Sequence, residues 1–178
     1  MMDRRGFIAR AALICGSAEA IWGGSAIADT ANVRSVSFVH THTGEKLTAA
    51  YWKDGEYQPQ VLQQVNHLLR DFRTNEVHVI DPVLLDVLFE LRTKVGSGHA
   101  FHVISAYRSP KTNAMLRRSS SAVAEHSMHM LGKAIDVRLE SFPTARLAAV
   151  ARSLRRGGVG YYQASDFVHV DTGRVRYW

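Results

Sequence analysis

Residues 125–138 read EHSMHMLGKAIDVR, and their order predicts how the chain folds around them. Residues 133–139 alternate between apolar and other side chains, which predicts a β-strand with one buried face. Asp136 belongs to the other face, so it points into a cleft or into solvent. Gly132 allows a close approach of the backbone at the start of this strand. His129 precedes that turn, so the chain can fold back and bring its imidazole beside Asp136.

A second alternating segment, residues 167–171, predicts another strand, on which His169 and Asp171 point the same way. Two histidines and one aspartate from neighbouring strands make a three-ligand zinc site with one position left for water. Such a site lowers the pKa of bound water to about 7, which provides a nucleophile at neutral pH. We therefore interpret His129, Asp136 and His169 as candidate ligands of one zinc ion, although iron or manganese also suits this donor set.

Other polar residues near these strands are candidates for supporting roles. Asp166 lies three residues before His169 and could accept the proton of the water. Arg108, at the end of the predicted strand His102–Tyr107, could hold a substrate carboxylate or stabilise charge on the attacked carbonyl. Ser127 either bonds the substrate or orients the loop. Asp171 either orients a ligand histidine or caps the following turn.

The remaining histidines give weaker patterns. His126, three residues before His129, is the alternative candidate for the same ligand position. His40 and His42 share one face of a strand and could form a second metal pair, but no third ligand is evident, which favours a structural role. Four further histidines show no partner pattern in the sequence, namely His67, His78, His99 and His102.

Periodicity along the rest of the chain predicts an α+β fold, with helices packed on one face of a small, mostly antiparallel sheet. Apolar residues recur at helical spacing from Gln60 to Phe72, and Asp81-Pro82 marks the start of a second helix that ends at residues 96–98. The other predicted elements are strands at 33–39, 47–52, 102–107 and 158–162, helices starting at Ser109-Pro110 and spanning 143–154, and a loop at 118–121.

The first 28 residues predict a targeting segment, leaving a single domain at residues 29–178. Arg4-Arg5 is a twin-arginine pattern, residues 9–21 are mostly apolar, and Ala26-Ile27-Ala28 offers a cleavage site. The apolar run is short for a membrane span, so we expect a periplasmic protein without stable membrane insertion. An uncleaved anchor or an ordinary N-terminal helix is the alternative.

The composition of residues 29–178 indicates which classes of binding partner to expect. This part contains no cysteine, since Cys15 lies in the targeting segment, so packing and any bound metal must stabilise it. Its 19 basic and 14 acidic side chains give a net charge of +5. A basic exported protein suits an anionic polymer such as peptidoglycan, and we expect no nucleic-acid partner. A basic surface that only aids solubility is the alternative.

Four motifs occur in a fixed order: Ser-Ala-Tyr-Arg-Ser-Pro at 105–110, Ser-x-His-x-x-Gly-x-Ala-x-Asp at 127–136, Gly-Val-Gly-Tyr-Tyr at 158–162 and Asp-x-x-His-Val-Asp at 166–171. In this order they resemble the M15 zinc peptidases, the group of D-Ala-D-Ala carboxypeptidases and murein endopeptidases. The branch of murein endopeptidase K and the unknown-function family 882 is the most similar. Segments at 40–45, 70–73 and 80–82 also resemble that branch, so the resemblance covers nearly all of residues 29–178.

The resemblance implies the fold of D-Ala-D-Ala peptidases and hedgehog domains, and hydrolysis of peptide bonds in peptidoglycan. It implies zinc ligation by His129, Asp136 and His169, a general base at Asp166, and a substrate or oxyanion role for Arg108. The Ser-x-His-x-x-Gly pattern selects His129, which makes His126 a solvent-facing loop residue. The chain departs from the family at Ala106, where glycine is more common. Two alternatives stay open: a D,D-carboxypeptidase that trims terminal D-Ala, and a peptidoglycan-binding module without catalysis.

Overall fold

An eight-stranded sheet forms the centre of the computed structural model, which describes residues 32–96, 98–120 and 123–178. The strand order is β3-β2-β1-β4-β5-β7-β6-β8. The pairs β1–β4 and β6–β8 are parallel and the other pairs are antiparallel. The strands are β1 (Val33–His40), β2 (Lys46–Lys53), β3 (Glu56–Tyr57), β4 (Phe101–Ser105), β5 (Ala134–Leu139), β6 (Gly158–Tyr162), β7 (Phe167–Asp171) and β8 (Arg176–Tyr177).

In the part of the chain that the structure describes, four helices lie between strands, and two of them begin at residues that the sequence marks as N-terminal caps. Asp81 accepts a hydrogen bond from the backbone N–H of Val83, and Ser109 accepts one from Thr112, so both residues cap a helix N-terminus. Gly96 ends the second helix in the left-handed conformation, with φ of 70°. The helices are α1 (Pro59–Leu68), α2 (Pro82–Val95), α3 (Pro110–Ser119) and α4 (Thr144–Leu154), and 3₁₀ turns span Met128–Leu131 and Gln163–Ser165.

The hydrophobic core lies between one face of the sheet and three helices. Helix α1 packs on β2, α2 packs on β1 and on α4, and α4 covers β5, β6 and β7. On the central strands, Ile135, Val137 and Val168 are fully buried in this core. Because side chains alternate along a strand, Asp136 and His169 lie on the opposite face. These contacts confirm the predicted α+β class, in which the core holds the site-bearing strands from behind.

Strand β4 differs from its prediction in a way that shapes the site. Val103 pairs with Val137, but the next pairing joins Ser105 to Asp136, so Ile104 occupies a bulge. A bulge shifts the following residues to the other face of the sheet. Ser105 therefore lies beside Asp136, and the strand ends there rather than at residue 107.

Several short elements have no counterpart in the prediction. Strands β3 and β8 have two residues each, which is too short for a periodic pattern. Helix α3 extends to Ser119, into the segment predicted as a loop. Of the helices in the described ranges, none combines the length and the apolar character that crossing a membrane requires. The predicted targeting segment, residues 1–28, lies outside the described residues.

Candidate metal centre

His129 is placed by a short turn with a specific cap at each end. The hydroxyl of Ser127 accepts a hydrogen bond from the backbone N–H of His129 and so caps the 3₁₀ turn. Gly132 ends the turn with φ of 65°, and its carbonyl accepts a bond from the N–H of Asp81. A Cβ on Gly132 would lie 2.1 Å from the carbonyl oxygen of Val79. The close backbone approach predicted at Gly132 is therefore confirmed.

Three candidate ligands converge on one point of the sheet face opposite the core. His129 Nε2 lies 3.2 Å from His169 Nδ1 and 3.3 Å from Asp136 Oδ1, and His169 Nδ1 lies 2.9 Å from the same carboxylate oxygen. All three side chains are buried. Among the described residues, these are the three that group as potential metal ligands. Antiparallel pairing of Asp136 with His169 brings two of them together, and the 3₁₀ turn supplies the third.

The hydrogen bonds of the two imidazoles fix which nitrogen atoms face the centre. His129 Nδ1 lies 2.6 Å from the carbonyl oxygen of Ala106, and because a carbonyl only accepts, Nδ1 carries the proton. His169 Nε2 lies 3.0 Å from a carboxylate oxygen of Asp171, so it donates in the same way. His129 Nε2 and His169 Nδ1 then present lone pairs to each other and to the carboxylate of Asp136.

Three electron-pair donors at these distances fit one small cation. Ligand atoms about 2.0 to 2.1 Å from a tetrahedral zinc ion lie about 3.3 to 3.4 Å apart, close to the three distances in the cluster. Without a cation, the three groups would all be acceptors in a buried position, which is unfavourable. The donor set and its geometry therefore fit a divalent metal of the zinc type.

The pKa values in the cluster reflect burial and mutual contact. Burial alone would raise the pKa of Asp136, but the neighbouring His129 and His169 hold it well below the usual range. Burial lowers the pKa of His129 below its ordinary value. Burial also acts to lower the pKa of His169, but the carboxylates of Asp136 and Asp171 on the two sides of its ring outweigh burial and raise it. A charged Asp136 and a neutral His129 are the forms that bind a metal, whereas a metal bound to His169 Nδ1 would have to displace the proton that its raised pKa favours.

Arg108 lies at the cleft but also supports a candidate ligand. Its Nη2 bonds the second oxygen of Asp136 at 2.5 Å, and its Nε bonds the hydroxyl of Ser105 at 2.9 Å. Its backbone N–H bonds the carbonyl of His129. None of the hydrogen bonds among the described residues involves Nη1 of Arg108, and this residue lines the cleft. Arg108 can therefore orient Asp136 and still offer a donor to a substrate.

Asp171 performs both of the roles considered for it. One oxygen accepts from His169, and the other accepts from the backbone N–H groups of Gly158 and Gly173. Arg176 adds a two-pronged ion pair at 2.7 and 3.1 Å. Burial would raise the pKa of Asp171, but these bonds hold it well below the usual range. Asp171 is thus a fixed anion behind His169.

Asp166 does not join the cluster in this structure. Its carboxylate accepts a hydrogen bond from the hydroxyl of Thr144 and lies 3.6 Å from the guanidinium of Arg138. Its side chain is 63 % exposed, and Asp166 does not line the cleft over the candidate ligands. The backbone of Asp166 is left-handed, with φ of 51°, which turns the side chain toward the start of α4. The contacts therefore give the predicted base role no support.

The cleft over the cluster has a volume of about 530 Å³. Ser127 lines it, and its hydroxyl oxygen accepts the backbone N–H of His129, which orients the loop and leaves the O–H able to donate to a substrate. His126 is exposed and also lines the cleft, apart from the cluster. The cleft is therefore open to a substrate on the side where the predicted ligands lie.

His40 has a structural role. Its Nδ1 accepts hydrogen bonds from the backbone N–H groups of His42 and Thr43, which close a turn. Burial, with smaller effects of His42 and Arg70, lowers the pKa of His40 to about 4. His42 stacks on Phe72 at 4.1 Å between ring centroids. His78 likewise stacks on Tyr107. The preference for a structural interpretation of His40 agrees with these contacts.

Sequence reasoning did not find four groups that build the site. Ser105 and the carbonyl of Ala106 depend on the bulge in β4, which no residue pattern announced. Arg176 and Trp178 lie on or next to β8, which is too short to predict, and they reach the cleft only through its pairing with β6.

The chain was compared with known proteins. The model of the family described as Peptidoglycan L,D-endopeptidase MepK (Peptidase_M15_2) matches residues 28–178. A protein of Haemophilus influenzae named "Probable peptidoglycan L,D-endopeptidase MepK" is 44 % identical over 154 residues, which cover 86 % of this chain and 83 % of that protein. The Escherichia coli K12 protein named "Peptidoglycan L,D-endopeptidase MepK" is 37 % identical over 176 residues, which cover 99 % of this chain and 97 % of that protein.

The search of solved structures found no match for this chain. The family assignment therefore rests on the sequence comparisons, and these agree with the fold and with the convergence of two histidines and an aspartate. Matches over nearly the whole of residues 28–178 show that the chain belongs to the M15 peptidase family, in the branch described as peptidoglycan L,D-endopeptidase MepK.

Proposed function

We propose that this protein is a zinc-dependent peptidoglycan endopeptidase that hydrolyses L,D peptide cross-links. The observation that carries the proposal is the buried cluster of two imidazole lone pairs and one carboxylate, at 2.9 to 3.3 Å, in a cleft open to a polymer. The names of the relatives supply the L,D specificity, and membership of the family supports the reaction class.

In this proposal His129, Asp136 and His169 hold the zinc ion. When bound, zinc supplies a water activated at neutral pH and polarises the attacked carbonyl. Arg108 offers its Nη1 to the carbonyl oxygen or to a nearby carboxylate of the substrate, because its other donors are occupied by Asp136 and Ser105. Asp171 holds the proton on His169 Nε2, so that Nδ1 remains free to bind the metal.

Asp166 is the candidate proton acceptor. The motif Asp-x-x-His suggests Asp166, but its carboxylate would have to leave Thr144 and rotate toward the cleft. Replacement of Asp166 by Asn decides this point. A loss of at least about 100-fold in kcat is expected of a general base, whereas near-normal kcat would assign proton transfer to another group.

We also propose that residues 1–28 are a twin-arginine signal and that residues 29–178 act in the periplasm as a single domain. The family match begins at residue 28, next to the expected cleavage site after Ala28. A basic exported domain suits peptidoglycan as partner. Replacing Arg4 and Arg5 with Lys should block export of a reporter fusion, and unchanged export would contradict the twin-arginine route.

Digestion of defined muropeptides tests the proposed activity. Purified protein with zinc should convert L,D-cross-linked dimers to monomers, leave D,D-cross-linked dimers intact and release no free D-Ala, as followed by mass spectrometry. His169→Ala should be inactive. Release of D-Ala would instead establish the D,D-carboxypeptidase alternative. Binding to sacculi without any cleavage would establish the binding module.

A further inference from the structure

The cleft has two chemically different flanks, set by the strand order. Asp136 and His169 occupy β5 and β7, in the middle of the β4-β5-β7-β6-β8 series. Arg108 follows β4 on one side, and Trp178 follows β8 on the other. Both residues line the cleft. A substrate that lies across the strands therefore meets Arg108 on one side of the candidate metal site. On the other side it meets an indole, with Arg176, ion-paired to Asp171, beside it.

The indole of Trp178 is held in place from several directions. Its N–H donates to the hydroxyl of Tyr162 at 3.0 Å, and the Arg176 guanidinium lies 5.0 Å from its ring centroid. It packs so closely on Gly160 that a Cβ there would come within 2.5 Å of the ring. Backbone bonds to Val159 and Tyr161 fix the residue itself. A large side chain constrained in this way is preorganised rather than free to fold away.

Trp178 nevertheless remains partly exposed where it lines the cleft. Trp178 is 47 % exposed, and its ring centroid lies 5.3 Å from that of His169. Tyr162 and Phe167 stack on each other at 4.6 Å and continue the same wall of the cleft. Covering exposed aromatic surface with an apolar group removes it from water, which is favourable.

We propose that Trp178, with Tyr162 and Phe167, forms a substrate subsite that binds an alkyl side chain next to the cleaved bond. This inference rests on the proposed function and identifies the part of the substrate that the aromatic flank recognises. Among the components of a stem peptide, the alkyl chain of the cross-linking diamino acid is the longest apolar group. An indole face packs well on such a chain, whereas a carboxylate is drawn to the Arg108 flank.

Binding of uncleaved ligands tests the subsite separately from catalysis. Calorimetry on metal-depleted protein would measure Kd for an L,D-cross-linked dimer whose cross-linking residue is lysine, and for the same dimer with a one-methylene side chain. Trp178→Ala should weaken binding of the lysine dimer about tenfold. Trp178→Phe should stay within about threefold, because a flat ring remains. Shortening the alkyl chain should cost wild type far more affinity than it costs Trp178→Ala.

Tyr177→Ala is the matched control. Tyr177 is the preceding residue of the same edge, is 46 % exposed, and its hydroxyl bonds the carbonyl of Arg152 instead of lining the cleft. It should bind both dimers as wild type does. Zinc titration should give one ion per chain in all variants. The subsite would be overturned if Trp178→Ala and Tyr177→Ala lost the same affinity for the lysine dimer, or if Trp178→Ala lost zinc. It would also be overturned if shortening the alkyl chain weakened binding equally in wild type and in Trp178→Ala.

The experiments distinguish failure of the endopeptidase assignment from failure of the subsite. If the protein cleaves no muropeptide when loaded with zinc, the endopeptidase assignment fails while the Kd values remain interpretable. If Trp178→Ala does not fold, Trp178→His decides, because its smaller polar ring covers less of an alkyl chain. A reduced chain-length penalty in that variant supports the subsite, and an unchanged one contradicts it.

Discussion

The two imidazoles of the candidate site are oriented by different kinds of acceptor. The carbonyl of Ala106 holds the proton of His129, whereas the carboxylate of Asp171 holds that of His169. Asp171 is fully buried and is itself fixed by Arg176 and two backbone N–H groups. An anion in this position makes His169 a stronger donor toward a metal than His129.

Replacing Asp171 with Asn should weaken zinc binding about 10- to 100-fold, the usual cost of losing a carboxylate behind a metal-binding histidine. Competition with a chromophoric zinc chelator, at a temperature where the variant is folded, measures this loss. Asp166→Asn serves as the control, because its carboxylate contacts Thr144 rather than the cluster and zinc affinity should stay unchanged. Equal zinc affinity in the two variants would contradict the assigned geometry.

The lowered pKa of His40 predicts that the stability of the protein depends on pH. Burial lowers its folded-state pKa to about 4, compared with 6.5 for an ordinary histidine. Between these values the unfolded chain binds a proton that the folded protein does not, so stability rises as pH rises through this window. The full effect is about 3 kcal/mol in the free energy of unfolding. It is lost as pH falls from 6.5 to 4.

His40→Asn should flatten this dependence. An asparagine oxygen can accept the backbone bonds that His40 Nδ1 accepts from His42 and Thr43, but it does not titrate. Urea unfolding of both proteins between pH 4 and pH 7 isolates the contribution, because the other titrating groups are common to both. Parallel curves over this range would show that His40 is not the group responsible.

At the scale of elements, short irregular segments place several residues at the candidate metal site that the long helices and strands do not reach. The bulge in β4 moves Ser105 next to Asp136, and the 3₁₀ turn brings His129 over the sheet. The two-residue strand β8 carries Arg176 to Asp171. Each of these segments is held by a few backbone bonds, so single residues in them have large effects on the site.

Gly132→Ala should destabilise the protein by at least about 2 kcal/mol, because the new Cβ adds backbone strain at positive φ and meets a carbonyl. The contact would be with Val79 O at 2.1 Å, and φ is 65°. Gly98→Ala is the control, since nothing lies within 4 Å of its Cβ position. Thermal unfolding compares the two variants. A similar midpoint for both would mean that the turn at Gly132 tolerates a side chain.

At the scale of the whole molecule, long periodic segments were predictable and the environment of the ligands was not. The strand that carries Asp136 and the helix after Asp81 follow from alternation and capping, which are local properties. The order of the four motifs, and the family resemblance that they carry, also singled out His129 and His169. The position of Asp166 was not predictable, because a left-handed backbone at that residue and the nearby Thr144 direct its carboxylate away.

The central claim is that one metal ion is bound jointly by His129, Asp136 and His169. A crystal of the zinc-loaded protein, with anomalous differences recorded at the zinc edge, tests it most directly. We predict a single peak in the cleft within bonding distance of His129 Nε2, His169 Nδ1 and a carboxylate oxygen of Asp136. A peak elsewhere, or one that persists in the same place in His129→Ala with His169→Ala, would contradict this account.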